Sequence, residues 1–118
     1  MRGWSLLLAA ALLSAGSGWA AAQAASSGNL RNDRLLVLPR AQQAQVLAKG
    51  LHSGCVGVSA FPMGVTATGK AKGTAYWSVG CKNGKSYAVQ IPRNSKGRMP
   101  FVDCQELRGT GRECFKRF

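Results

Sequence analysis

The chain has 118 residues, of which 16 are Lys or Arg and four are Asp or Glu, giving a formal net charge of +12 at neutral pH. That length leaves room for one small domain and excludes a multidomain enzyme, and the charge points to anionic partners without specifying an activity. A single histidine and four carboxylates leave little material for acid–base or metal chemistry.

The N-terminus opens with Met1-Arg2, continues as a compact apolar run from Trp4 to Leu13, and exits through small residues to an alanine cluster at Ala20, Ala21 and Ala22. This order of charge, apolar core and small residues predicts a signal peptide over residues 1–22, cut after Ala22 or, as the next choice, after Ala24. The run is shorter than the roughly 20 apolar residues a membrane span needs. The expected mature protein is therefore periplasmic or secreted, of about 95 residues, and without a transmembrane span.

Export decides how the four cysteines are read. In an oxidising compartment Cys55, Cys81, Cys104 and Cys114 form a disulfide framework, with three possible connectivities. No C-x-x-C is present, so a thioredoxin-like redox pair and a paired zinc knuckle are disfavoured, and no metal or cofactor is expected.

Residues 23–34 are small and polar and read as a flexible mature N-terminus preceding one domain over 35–118. Leu35 to Leu38 is a short apolar run, an edge strand or a helix lead-in, and Pro39 suits a first helical turn. From Arg40 to Leu51 the apolar residues Ala44, Leu47, Ala48 and Leu51 follow the i, i+3, i+4, i+7 rule, which predicts one amphipathic helix ending at Gly50 or Gly54. After Cys55 the spacing of glycines predicts strand and loop. Ala75 to Cys81 and Ser86 to Ile91 are strand-like, with Lys82-Asn83-Gly84-Lys85 between them, a strong hairpin signal. A further strand is expected over Met99 to Cys104, then a single helical turn near Gln105 to Arg108. The fold class expected is α+β: one amphipathic helix on a small antiparallel sheet of three to four strands, stapled by disulfides.

A two-residue type I′ turn at Asn83-Gly84 would set Cys81 opposite Ser86 and Trp77 opposite Gln90. One face would then carry Trp77, Val79, Cys81 and Ala88, and the helix would cover it. That places Cys55, just past the helix end, near Cys81, and favours Cys55–Cys81 with Cys104–Cys114 among the three connectivities. The other face would carry Tyr76, Tyr87, Val89 and Ile91. Either the C-terminal segment with Phe115 and Phe118 folds over it, or it meets a partner, which makes Tyr76, Tyr87, Val89 and Ile91 the candidate interaction face.

At Trp77-Ser78-Val79-Gly80-Cys81-Lys82-Asn83-Gly84 and at Cys114-Phe115-Lys116-Arg117-Phe118 the chain resembles small exported bacterial proteins of uncharacterised function. Those carry a W-S-V-x-C-x-[ND]-G hairpin and end in Cys-Phe, basic residues and Phe. The resemblance runs roughly from Cys55 to Phe118 and implies export from a bacterium and a disulfide-bearing hairpin. It carries over no catalytic residue. Arg93 stands where an acidic residue is usual after the Ile-Pro turn, so this chain is the more basic member.

No arrangement points to catalysis. His52 has Ser53 beside it, but nothing organises them as base and nucleophile, and a helix-end histidine facing water accounts for it. Asp33, Asp103, Glu106 and Glu113 do not form a hydrolase pair. Gly109-Thr110-Gly111 follows no strand that feeds a long helix, so it is not a phosphate cradle. Basic residues sit at predicted turns, among them Lys70, Lys82, Arg93 and Lys116, yet strand aromatics are more often core than stacking platforms, which disfavours nucleic acid. The expected function is a non-enzymatic exported binding or envelope-accessory module, whose partner is an envelope protein or an anionic surface. The alternative is a cationic secreted effector or inhibitor acting on an anionic partner or membrane. A small enzyme using Cys or His52 ranks last.

Overall fold

The computed structural model describes residues 26–51, 54–94 and 96–118, so the signal-peptide reading and His52 lie outside the described residues. Two helices, α1 (Leu30–Leu36) and α2 (Arg40–Lys49), precede four strands, β1 (Gly57–Val65), β2 (Ala75–Cys81), β3 (Ser86–Ile91) and β4 (Phe101–Asp103), and a 3-10 turn at Cys104–Leu107. The strands form one antiparallel meander in the order β1-β2-β3-β4. The α+β class, the sheet and the disulfide staples are as expected, with one helix more. No helix among the described residues is long and apolar enough to cross a membrane.

Helix α2 buries Ala44, Leu47 and Ala48 and is capped by Gly50, with Leu51 buried just beyond. The small residues on this face have a reason. A side chain at Gly57 would run into the Ala44 carbonyl and the Ala48 methyl, so β1 and α2 meet almost backbone to backbone. Leu35, Leu47, Leu51 and Met99 pack with Trp77, Val79, Val89 and Ile91 into the core. The disulfide Cys55–Cys81, with Cα atoms 5.2 Å apart, fastens the end of this helical layer to β2, and Cys104–Cys114, at 5.7 Å, closes the C-terminal loop. All four cysteines are paired, in the connectivity the sequence favoured. A thiol nucleophile is thereby removed from the low-ranked enzyme reading.

The described part of the segment expected to be flexible, residues 26–34, is instead a folded latch. Its polar residues point inward because they satisfy buried backbone groups. Asn29 is 1% exposed. Its amide donates to the carbonyls of Gly73 at 2.9 Å and Ile91 at 2.7 Å, and its oxygen caps α1 by accepting from the Asn32 N–H. Asn32 is also buried and accepts from the Trp77 indole N–H at 2.8 Å. Asp33 accepts from the Ser27 hydroxyl at 2.7 Å, and that bond, more than its other serine contacts, holds the carboxyl below its ordinary value. The signal cuts expected after Ala22 or Ala24 leave Ser26 and Ser27 on the mature chain.

The β2–β3 hairpin departs from the expected register by one residue. Cys81 N–H donates to the Lys85 carbonyl, and Gly84 N–H to the Cys81 carbonyl at 3.0 Å. Gly84 has φ +89°, and Asn83 is not among the residues with positive φ. The loop is thus three residues, Lys82-Asn83-Gly84, a type I-like turn closed by a left-handed glycine rather than a two-residue I′ turn. Trp77 pairs with Val89, Val79 with Tyr87 and Ala75 with Ile91. A one-residue slip moves every β3 side chain to the other face relative to β2.

Candidate functional site: a cleft beneath the C-terminal loop

That slip dissolves the candidate interaction face. Val89 and Ile91 are fully buried in the helix-side core, and Tyr87 packs against it. Of Tyr76, Tyr87, Val89 and Ile91, only Tyr76 lies on the opposite face. A charge at Val89 would therefore unfold the domain rather than test a surface. Of the aromatics weighed for base stacking, Trp77 is also fully buried.

The face opposite the helices presents Tyr76, Ser78 and Gly80 from β2, with Gln90, Ala88 and Ser86 beside them on β3 and Val102 opposite Ala88 on β4. The C-terminal segment crosses this face, as the apolar aromatics near the chain end suggested. Phe115 N–H donates to the Ser78 hydroxyl at 2.9 Å, which explains a serine with no exposed surface in the middle of a sheet. The Phe115 ring tilts against Phe61 with centroids 6.4 Å apart. Phe118 N–H donates to the Met63 carbonyl, and its ring meets Tyr76 edge-on at 5.5 Å. A side chain at Gly64 would press on the Phe118 ring at 3.1 Å, so this glycine makes the seat.

Phe115 is 40% exposed, so its ring contributes about 1 kcal/mol, a fraction of the value for full burial. Phe115→Ala is expected to lower the melting temperature by about 4–8 °C, both disulfides remaining formed. A variant that melts like the parent would show that the tail is not a structural cover.

The cover is incomplete. Between the sheet and the loop closed by Cys104–Cys114 lies a cleft of about 160 Å³, its apolar walls formed chiefly by Met63, Tyr76, Val102, Leu107 and Phe118, with Gln90 and Arg112 as the polar groups. Tyr76, Arg112 and Phe118 also line a wider, more polar depression that extends to Thr66, Thr68 and Lys70. Gly109 and Gly111, at φ +76° and +83°, turn the loop back so that Leu107 and Arg112 both reach the cleft.

No Asp or Glu lines either cavity. Asp33 belongs to the latch, Asp103 caps the 3-10 turn by accepting from Gln105 N–H, and Glu106 is exposed. Glu113 is half-buried with one carboxylate oxygen lacking a hydrogen-bond partner, but it does not border the cleft. Among the described residues no three His, Cys, Asp or Glu side chains come together in a way that could hold a metal ion. The arrangement offers apolar contact beside the exposed cations Arg112 and Lys70.

The sequence points to the tail but not to the cleft: Leu107 falls in the helical turn expected near Gln105 to Arg108, and no motif singles out Arg112. In comparisons with known proteins, the chain matches no protein family, and no curated protein or solved structure matches it.

Proposed function

We propose that this chain is an exported, periplasmic or secreted, non-enzymatic binding module that holds an anionic partner in the cleft under its C-terminal loop. The observation that carries the reading is the pairing of an apolar cleft bordered by Arg112 with an adjoining depression that holds Lys70, neither lined by a carboxylate. Two disulfides in a small basic domain suit an oxidising compartment. The excess positive charge suits attraction of an acidic envelope component.

A photoreactive residue placed at Leu107 should crosslink to a discrete partner in the exporting cell, whereas one placed at Lys82 on the hairpin tip should not. Arg112→Glu should abolish the Leu107 adduct. Equal labelling from both positions, or none from Leu107, would overturn the reading.

A second reading, a cationic effector at an anionic membrane, is favoured by the α1–α2 corner. There Leu36, Val37 and Val46 are exposed by 41%, 73% and 45%, with Arg34 and Arg40 close by in the chain. Cosedimentation with anionic vesicles that fails with Val37→Glu but survives Arg112→Glu would select it over the cleft.

A further inference from the structure

We infer that the cleft recognises the free C-terminal residue of a partner polypeptide, taking one bulky apolar side chain between Tyr76, Leu107 and Phe118 and its α-carboxylate at Arg112 and Lys70. This rests on the binding-module reading and specifies its ligand.

Size sets the apolar part. A cavity near 150 Å³ takes up a benzene-sized group, and this one encloses about 160 Å³. That admits a single Phe, Leu or Met side chain and is too short for a long acyl chain. The walls are chemically matched to such a group: thioether, phenol, aliphatic and phenyl side chains, with the Gln90 amide and the Tyr76 hydroxyl as the neutral polar groups.

Charge sets the polar part. Arg112 borders both the apolar cleft and the depression, so a cation stands where the two adjoin. Lys70 lies further along the same depression. Neither side chain has a hydrogen bond or ion pair with another described residue, and both stand exposed in the folded chain. A guanidinium fork donates two parallel hydrogen bonds to a carboxylate, an arrangement that a neutral amide cannot reproduce.

The same field discriminates against a free amino acid. Its ammonium group sits one carbon from the carboxylate and would face the two cations. A residue whose amino group is already in a peptide bond carries no such charge. The depression then has a role, because Thr66 and Thr68 along it offer hydroxyl groups to the preceding backbone. The occupant this chemistry selects is a C-terminal apolar residue in peptide linkage.

The test is calorimetric titration of the oxidised chain with four probes: N-acetyl-phenylalanine, N-acetyl-phenylalanine amide, free phenylalanine and dodecanoate. The acid should bind about tenfold more tightly than its amide, the gap expected of a charge-assisted contact. Free phenylalanine and dodecanoate should be weaker than N-acetyl-phenylalanine. Arg112→Gln should reduce the preference for acid over amide to the part that Lys70 supplies while leaving the melting temperature unchanged. Lys70→Gln should narrow the preference. Leu107→Glu should remove binding of both acid and amide. Equal binding of acid and amide, a preference undiminished by Arg112→Gln, or tighter binding of dodecanoate would overturn the inference. Absence of binding by N-acetyl-phenylalanine while the Leu107 crosslink persists would overturn this ligand class and leave the module reading standing.

Discussion

Asn29→Ala is expected to lower the melting temperature of the oxidised chain by about 12–24 °C. Three bonds disappear together: the amide's two donations to the Gly73 and Ile91 carbonyls and the cap on Asn32 N–H. A buried group left unsatisfied costs about 1–3 kcal/mol and an N-cap about 1 kcal/mol, so the total is about 3 kcal/mol or more. For a domain of this size each kcal/mol moves the midpoint by about 4–8 °C. Asn29→Asp should be worse, because a carboxylate would face two carbonyl oxygens it cannot bond. The check is thermal unfolding followed by the fluorescence of Trp77, whose indole is tied to the same latch through Asn32. A loss of less than a few degrees would mean that α1 is an ornament on the sheet rather than part of the folded unit.

The two disulfides should separate stability from binding. Cys55–Cys81 joins residues 26 apart in sequence, and loop-closure entropy assigns it about 3.5 kcal/mol. Cys104–Cys114 joins residues 10 apart and receives about 2.7 kcal/mol on the same argument. Replacing Cys55 and Cys81 by Ala also leaves a gap at Cys81, which is 5% exposed against the core, so this pair should be the more destabilising. Replacing Cys104 and Cys114 by Ala releases the loop that carries Leu107 and Arg112, so the domain should still melt cooperatively but lose N-acetyl-phenylalanine binding. Melting curves and titrations of the two double variants check both statements. Retained binding without Cys104–Cys114 would place the ligand elsewhere.

Much of the fold was legible because periodicity carried it. Ala44, Leu47, Ala48 and Leu51 declare a helical face whatever surrounds them, and the runs flanking Asn83-Gly84 declare two strands. Helix α1 was not legible, since seven residues reading LRNDRLL show no sustained apolar face. Its position depends on what Asn29 and Asn32 bond across 44 to 62 residues of sequence. The register error came from a local choice. A glycine with positive φ serves a three-residue loop as well as a two-residue one, and the turn sequence does not decide between them.

Segregation of side chains could have decided it. With Trp77 opposite Val89, one face collects Ala75, Trp77, Val79, Val89 and Ile91, and the other collects the small and polar Ser78, Gly80, Ser86, Ala88 and Gln90. The alternative register mixes the two sets. The cleft was illegible because its residues come from β1, β2, β3, β4, the 3-10 turn and the chain end, and only the folded tail brings them together.

The central claim is that ligand binding occurs on the sheet face opposite the helices. Backbone amide chemical-shift mapping tests it directly, with N-acetyl-phenylalanine titrated into the isotopically labelled, oxidised chain. Shifts should cluster at Met63, Tyr76, Gln90, Val102, Leu107 and Arg112, with Val37 and Val46 at the helix corner unmoved. Shifts centred on the α1–α2 corner, or spread evenly over the basic turns at Lys82 and Lys96, would contradict it.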